Sequence, residues 1–270
     1  MELDQAQPAR NMTAAAANAI APSAPRGFSR WKASGIHLIF SIFVAFAVVA
    51  VMLLLWYPSP YFKAMGGGGL LMLVTSVDVV LGPLITLIIF NTQKKSLKFD
   101  LMCVAIVQLA ALAYGVSTML NARPVFTVFD KDRFQVIIGA DISEKESAKV
   151  TNQAFKALSL KGPVIAAIEP PTDFNEIQRI LTSGVESRAF TQYYVDYGKQ
   201  AKKAGAASKT LSQVQKVNQT GAEKLKVFLA GNKLDESKVG FLPLYTRNID
   251  MTMVLDRETG NILTIAPVEP

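Results

Sequence analysis

Three long apolar runs follow one another in the first 120 residues, and shorter alternating runs fill the rest of the chain. The first run, residues 33–57, contains IHLIFSIFVAFAVVAVMLLLWY and no Asp, Glu, Lys or Arg. A helix rises 1.5 Å per residue, so about 20 apolar residues cross the roughly 30 Å hydrocarbon core of a bilayer. Trp31 precedes the run, and Trp56, Tyr57 and Tyr61 follow it, where amphipathic rings favour the headgroup level. Pro58 and Pro60 then stop the helix. The second run, residues 70–90, follows the tetraglycine Gly66 to Gly69, and the third, residues 99–120, ends before Pro124. The chain reads as three transmembrane helices.

Beyond Arg123 the pattern is that of soluble protein. Residues 125–130 and 133–138 alternate as a hairpin with a tight Lys131-Asp132 turn. Ser143 with Glu146 forms a capping box ahead of an amphipathic helix over 145–160. Residues 164–168 read as a buried strand ended by Pro170-Pro171, and 173–181 as a helix capped by Thr172 or Asp173. A helix over 212–229, weakened by Gly221, precedes strands at 241–246, 251–256 and 262–268. The expected fold class is a membrane α-helical region of three transmembrane helices, followed by a small α+β extramembrane domain with a mainly antiparallel sheet. The expected divisions are a disordered cytoplasmic tail over 1–29, the membrane region over 30–122 and the outer domain over 123–270.

The net charge of +7 changes this picture only through its location. Residues 124–270 carry 19 Lys and Arg against 17 Asp and Glu, whereas the first 123 carry nine against four. The excess sits beside the apolar runs and not in a basic, aromatic-rich surface, so nucleic acid is not an expected partner. Arg26, Arg30 and Lys32 precede the first run, and Lys94, Lys95 and Lys98 lie between the second and third. Against these six stand Lys63 and Arg123 on the other side. The positive-inside rule then places the N-terminus in the cytoplasm and the C-terminal domain outside, in the periplasm of a two-membrane bacterium. The long apolar run with no small-residue cleavage site reads as an uncleaved signal-anchor, not a signal peptide.

Candidate chemistry is sparse. Cys103 is the only cysteine and His37 the only histidine, so cysteine-based zinc sites, histidine-rich metal sites and intrachain disulfides are excluded. Beyond Arg123 there is no His or Cys to serve as base or thiol nucleophile, and no Walker loop or G-x-S-x-G elbow occurs. Asp130 and Asp132 read as solvated turn residues, and His37 as an interfacial residue. No catalytic residue, metal or cofactor is expected, and the chain does not read as an enzyme.

Asp78 stands out because a carboxylate within an apolar span is costly and faces the bundle or a partner. It is at similar depth to Gln108, so it reads either as interhelical glue or as a docking point for a partner helix, with a proton relay the weakest alternative. Phe190, Tyr193, Tyr194 and Tyr197 recur at i, i+3, i+4 and i+7, one face of a helix if the segment is helical. Such a stripe either packs on the domain's own sheet or forms a partner surface.

The segments RWKASGIHLIF (residues 30–40), WYPSPYF (56–62), VDVVLGPLITLIIFN (77–91), KKSLKFDL (94–101), QLAALAYG and ARPVFTVFDKDRF (both within 108–134) together resemble the type IV pilin accessory proteins of the TfpX/TfpZ family. The terminal FLPLYTRNIDMTMVLDRETGNIL matches more loosely. The resemblance implies an inner-membrane accessory protein or chaperone that acts on the pilin subunit before pilus assembly, without catalytic residues. The alternatives are a membrane-anchored sensor or scaffold with a periplasmic ligand-binding domain, or a hydrolase built on an unrecognised carboxylate site.

Orientation is directly testable. A periplasm-dependent reporter fused after Leu120 is expected to be active, and one in the 92–98 loop inactive. Neutralising Lys94, Lys95 and Lys98 together is expected to produce mixed orientation, because it removes half of the flanking positive charge.

Overall fold

The computed structural model describes residues 28–142, 147–183 and 187–269. Residues 1–27 of the tail expected over 1–29, with Arg26, and the Ser143–Glu146 capping box lie outside these residues.

Three helices are long and apolar enough to cross a membrane: Arg30–Trp56, Gly67–Ile89 and Leu97–Asn121. Ser29 caps the first, its hydroxyl accepting from the Lys32 amide at 3.3 Å. The first helix ends in a π turn at Met52–Trp56, and the second is interrupted by one at Val77–Leu81. Pro83, two residues after that second turn, has no N–H for the carbonyl of Val79, which favours an irregular turn here. Between the first and second helices the chain makes one further helical turn, Tyr61–Ala64.

The domain that follows is a helix-plus-sheet unit. Strands β1 (Pro124–Asp130), β2 (Arg133–Ile138), β3 (Val164–Ile168), β4 (Tyr194–Asp196), β5 (Val239–Tyr245), β6 (Met251–Asp256) and β7 (Ile262–Ala266) form one seven-stranded sheet. Their order is β4-β3-β1-β2-β5-β6-β7. Four neighbour pairs are antiparallel, but β1 pairs with β3 and β2 with β5 in parallel. The sheet is therefore mixed and not mainly antiparallel. The hairpins come from tight local turns, whereas each parallel join needs a long crossover that no local sequence signal encodes.

Other differences from the sequence reading are local. Of the helix expected over 145–160, the first two positions lie outside the described residues and residue 147 is helical, but 148–152 are not; a short Gln153–Lys156 turn capped by Asn152 follows, and residues 157–163 are irregular. The helix expected over 212–229 is two helices, Leu211–Val217 and Gln219–Gly231, broken at Asn218. Asn218 leaves the helical region with ψ at 91° and caps the second helix by accepting from the Gly221 amide at 2.8 Å.

Period-two alternation divides the sheet's side chains between two faces. Phe126, Val128 and Ile137 turn to one face, where Val150, Phe155 and Tyr194 cover them. On the same face farther along, Phe241 and Val254 meet Leu211, Val214, Leu225 and Leu229 of the two C-terminal helices. The opposite face carries Phe129, Phe134, Leu242, Leu244 and Met253, and it packs on Met52, Tyr57, Tyr61, Ala64 and Met119 from the long helices and their connection. Gly260 closes the β6–β7 turn at φ 74°, and a Cβ there would collide with the Ala201 carbonyl, so this position requires glycine.

Polar contacts pin the seam between sheet and helices. The Tyr61 hydroxyl bonds Thr127 Oγ1 at 2.8 Å, and the Tyr57 hydroxyl donates to the Met119 carbonyl at 2.9 Å. The Ala64 carbonyl accepts from the Asn248 and Ile249 amides at 3.1 Å and from Thr246 Oγ1 at 2.9 Å. Arg123, buried at the exit of the third helix, donates to the carbonyls of Leu120 at 2.5 Å and Ser159 at 3.0 Å. Burial pushes the Tyr57 hydroxyl up to about 12, despite the opposing charges of Arg123 and Arg247, and raises Tyr61 as well. Both therefore stay protonated and able to donate at neutral pH.

Tyr61→Phe leaves Thr127 Oγ1 buried without its partner and is expected to destabilise the seam by about 1–3 kcal/mol. Tyr61→Ala also empties a ring-sized volume and is expected to cost about 3–5 kcal/mol. Thermal unfolding of the detergent-solubilised protein checks both, with Tyr114→Phe at an exposed position expected to change nothing.

Candidate functional site

The residue that stands out in the sequence, Asp78, lies in the π turn of the second long helix and is only 8% exposed. It is eleven residues from either end of Gly67–Ile89. Gln108 lies eleven residues into Leu97–Asn121, and Ser41 eleven into Arg30–Trp56. Each is therefore about 16 Å from its helix end. The second helix packs against both others, and the first and third leave a groove between them.

This groove has a volume of about 650 Å³ and lies in the half of the bundle remote from the sheet. Its walls are apolar, formed by side chains such as Phe40, Val44, Phe90, Val104, Leu109 and Leu112. His37, Ser41, Asp78, Thr86 and Gln108 supply the polar atoms. His37 turns inward, where its Nδ1 meets Thr86 Oγ1 at 2.7 Å. The unbranched approach at Gly82 makes this possible. A Cβ on Gly82 would strike the Gln108 amide and would lie 3.2 Å from His37 Nε2.

The polar residues form two layers. In the lower layer, nearer the Arg30 end, His37 and Thr86 satisfy one another. In the upper layer Asp78 Oδ1 and Gln108 Nε2 are both buried, and neither has a hydrogen-bond partner among the described residues. The structure thus brings Asp78 and Gln108 to one groove without the hydrogen bond their shared depth allows. His37, Ser41 and Thr86 were not singled out from the sequence as site residues. Their spacing gives little signal, because a small polar residue in a long apolar helix is common.

The other singled-out residues lie elsewhere. Arg30, Lys32, Lys94, Lys95 and Lys98 are exposed near the helix ends on the groove's side of the bundle, with Lys94 paired to Asp100. The aromatic stripe is not a helix face. Phe190 and Tyr193 lie in or beside a 3-10 turn, Tyr194 begins β4 and Tyr197 begins another turn. The short strand and turns distribute the rings over separate neighbours. Arg179 covers Phe190, Tyr194 packs edge-on to Phe126 and Phe155, and Tyr197 contacts Phe129 and Phe134. The Tyr193 hydroxyl donates to Glu176, whose carboxyl is held down at about 2 by the Arg179 guanidinium first and by this hydroxyl second. These rings serve the domain's own packing.

Comparison with known proteins bears on the whole chain. Residues 25–66 match the family model of the fimbrial assembly protein FimB. The fimbrial assembly proteins of Dichelobacter nodosus serogroups E1 and I are each 30% identical over 245 residues, covering 88% of this chain and 95% of the relative. The chain belongs to the fimbrial assembly protein family. The protein of serogroups C1 and C2 from the same organism is 39% identical over 113 residues, 41% of this chain and 86% of that relative. No solved structure matches this fimbrial assembly protein. The matched 25–66 segment contains the first long helix with His37 and Ser41, and the Tyr57–Ala64 connection built into the sheet.

Gly82→Leu is expected to displace Gln108 and overpack the helix contact, at a cost of about 1–3 kcal/mol. Adding Gln108→Ala makes room and is expected to recover part of that loss, a coupling measurable by a double-mutant cycle on thermal stability.

Proposed function

We propose that this fimbrial assembly protein is a non-enzymatic accessory protein of the bacterial inner membrane, which binds the type IV pilin subunit and keeps it stable until assembly. In this reading the N-terminus is cytoplasmic, the three long helices cross the bilayer and the sheet domain stands in the periplasm. No cofactor takes part. The finer kinship with the TfpX/TfpZ proteins belongs to the same reading.

The observation that carries it is similarity to fimbrial assembly proteins along 88% of the chain, joined to a bundle with an open apolar groove. A pilin awaiting assembly is held in the membrane by one apolar helix, with its head outside the cytoplasm. A helper with an apolar groove in its bundle and a domain fixed to the same bundle can reach both parts. The flanking charges support the orientation, since Arg30, Lys32, Lys94, Lys95 and Lys98 gather at one end of the bundle and the sheet at the other.

Deleting the gene is expected to reduce surface pili and lower the level of unassembled pilin, with pilin transcription unchanged. Electron microscopy, pilin immunoblots and transcript measurement check this. Unaltered pilin stability together with full piliation would refute the reading.

A further inference from the structure

The bundle shows what kind of ligand would complete it. The groove runs from Asp78 and Gln108 at mid-length towards the Arg30 end of the first helix. Its walls along the first and third helices, from Ala33 to Val44 and from Leu101 to Leu112, each span twelve residues. That is about 16 Å, or three helical turns. Its lining is overwhelmingly apolar, so the surroundings of an occupant are hydrocarbon-like.

The two polar layers then discriminate between occupants. In the His37–Thr86 layer, His37 Nδ1 and Thr86 Oγ1 bond one another. The Asp78–Gln108 layer holds an acceptor oxygen and a donor nitrogen, both buried and both unpartnered. Asp78 is more than nine-tenths buried. In a bilayer such atoms are costly unless something within the protein or its partner satisfies them. A lipid acyl chain fills the groove but offers neither donor nor acceptor. A helix bearing one suitable side chain does both.

We propose that this groove binds the single membrane helix of the fimbrial subunit, and that the helix presents at mid-depth one side chain able to donate and accept at once. An amide, a hydroxyl or a protonated carboxyl meets that requirement, donating to Asp78 Oδ1 and accepting from Gln108 Nε2 once these two buried side chains turn towards the occupant. The proposal rests on the pilin-binding function above and assigns that binding to the bundle. Apolar walls supply the contact area and the upper polar layer sets depth and register. A lone basic side chain fits less well, because it has no acceptor for Gln108 Nε2.

The test uses the full-length protein in native membranes. A photoreactive phenylalanine analogue replaces Leu109 in the groove wall, Val107 on the exposed side of the same helix, or Leu263 on β7 of the sheet. Capture of the fimbrial subunit at 109 and not at 107 is expected. Asp78→Leu and Gln108→Leu are each expected to weaken that capture, roughly three- to twenty-fold, from the measured range for interhelical hydrogen bonds. Asp78→Asn keeps an acceptor oxygen at the same place and is expected to retain capture, with abundance checked by immunoblot in every case. Should Asp78→Leu fail to accumulate, Gln108→Leu and Asp78→Asn still decide the matter. Subunit capture at 263 alone, with 109 silent, overturns the groove assignment and leaves the pilin-binding reading standing. Capture of a second copy of this chain or of lipid alone at 109 also overturns it, as does undiminished capture by both leucine variants. Silence at every position overturns it, and normal piliation in the deletion strain then removes the function reading as well.

Discussion

The arrangement of this protein depends on one seam, where the connection between the first two long helices is built into the core of the sheet. Tyr57, Tyr61, Ala64 and Met65 share a single buried cluster with Phe129, Phe134, Leu244 and Met253. A connection of this kind is ordinarily a solvated loop. Here its last carbonyl, on Ala64, accepts from three donors in the β5–β6 turn, and its two tyrosine hydroxyls find buried partners on the third helix and on β1. Desolvated hydroxyls are costly to leave unpaired, so each bond fixes geometry beyond the stability it adds. Sheet and bundle consequently share a core instead of being joined by one flexible linker.

The seam ties the bundle together at one end, and the groove opens in the other half. The second helix lies against both neighbours, which keeps the first and third apart along the groove. Its π turn and Pro83 interrupt regular geometry just where Asp78 must turn inward. Gly82 then lets Gln108 and His37 close in on the bare backbone. Features that read as helix weaknesses in isolation become one feature: a polar layer at mid-length that is incomplete in the described residues.

Local signals made much of the architecture readable from the chain itself. The three long helices follow from long runs with at most one charged residue each, because few sequences other than membrane-length helices concentrate apolar residues so densely. The β1–β2 and β6–β7 hairpins follow from alternation closed by turn residues, and the Phe174–Thr182 helix from its Asp173 cap. Asp78 was visible because a carboxylate in such a run is rare, and Gln108 because it lies at the matching depth. The contact of His37 with Thr86 was not legible, since the two lie 49 residues apart in the chain.

What the sequence determined by itself is whatever depends on residues close together in the chain: helix length, turn position, capping and the sign of flanking charge. What only the tertiary structure decided depends on residues far apart. The parallel β2–β5 join brings Phe134 to Leu244 across more than a hundred residues. The aromatic residues from Phe190 to Tyr197, helical in spacing, were divided between a short edge strand and its flanking 3-10 turns, where Phe126 and Phe129 present hydrophobic surface to Tyr194 and Tyr197. The groove exists because two helices that are not neighbours in sequence both pack on a third, and its unpaired atoms are unpaired only in that packing. Periodicity reports which face of an element is apolar, but not which distant face it meets, since that choice is made by the summed burial of the whole chain.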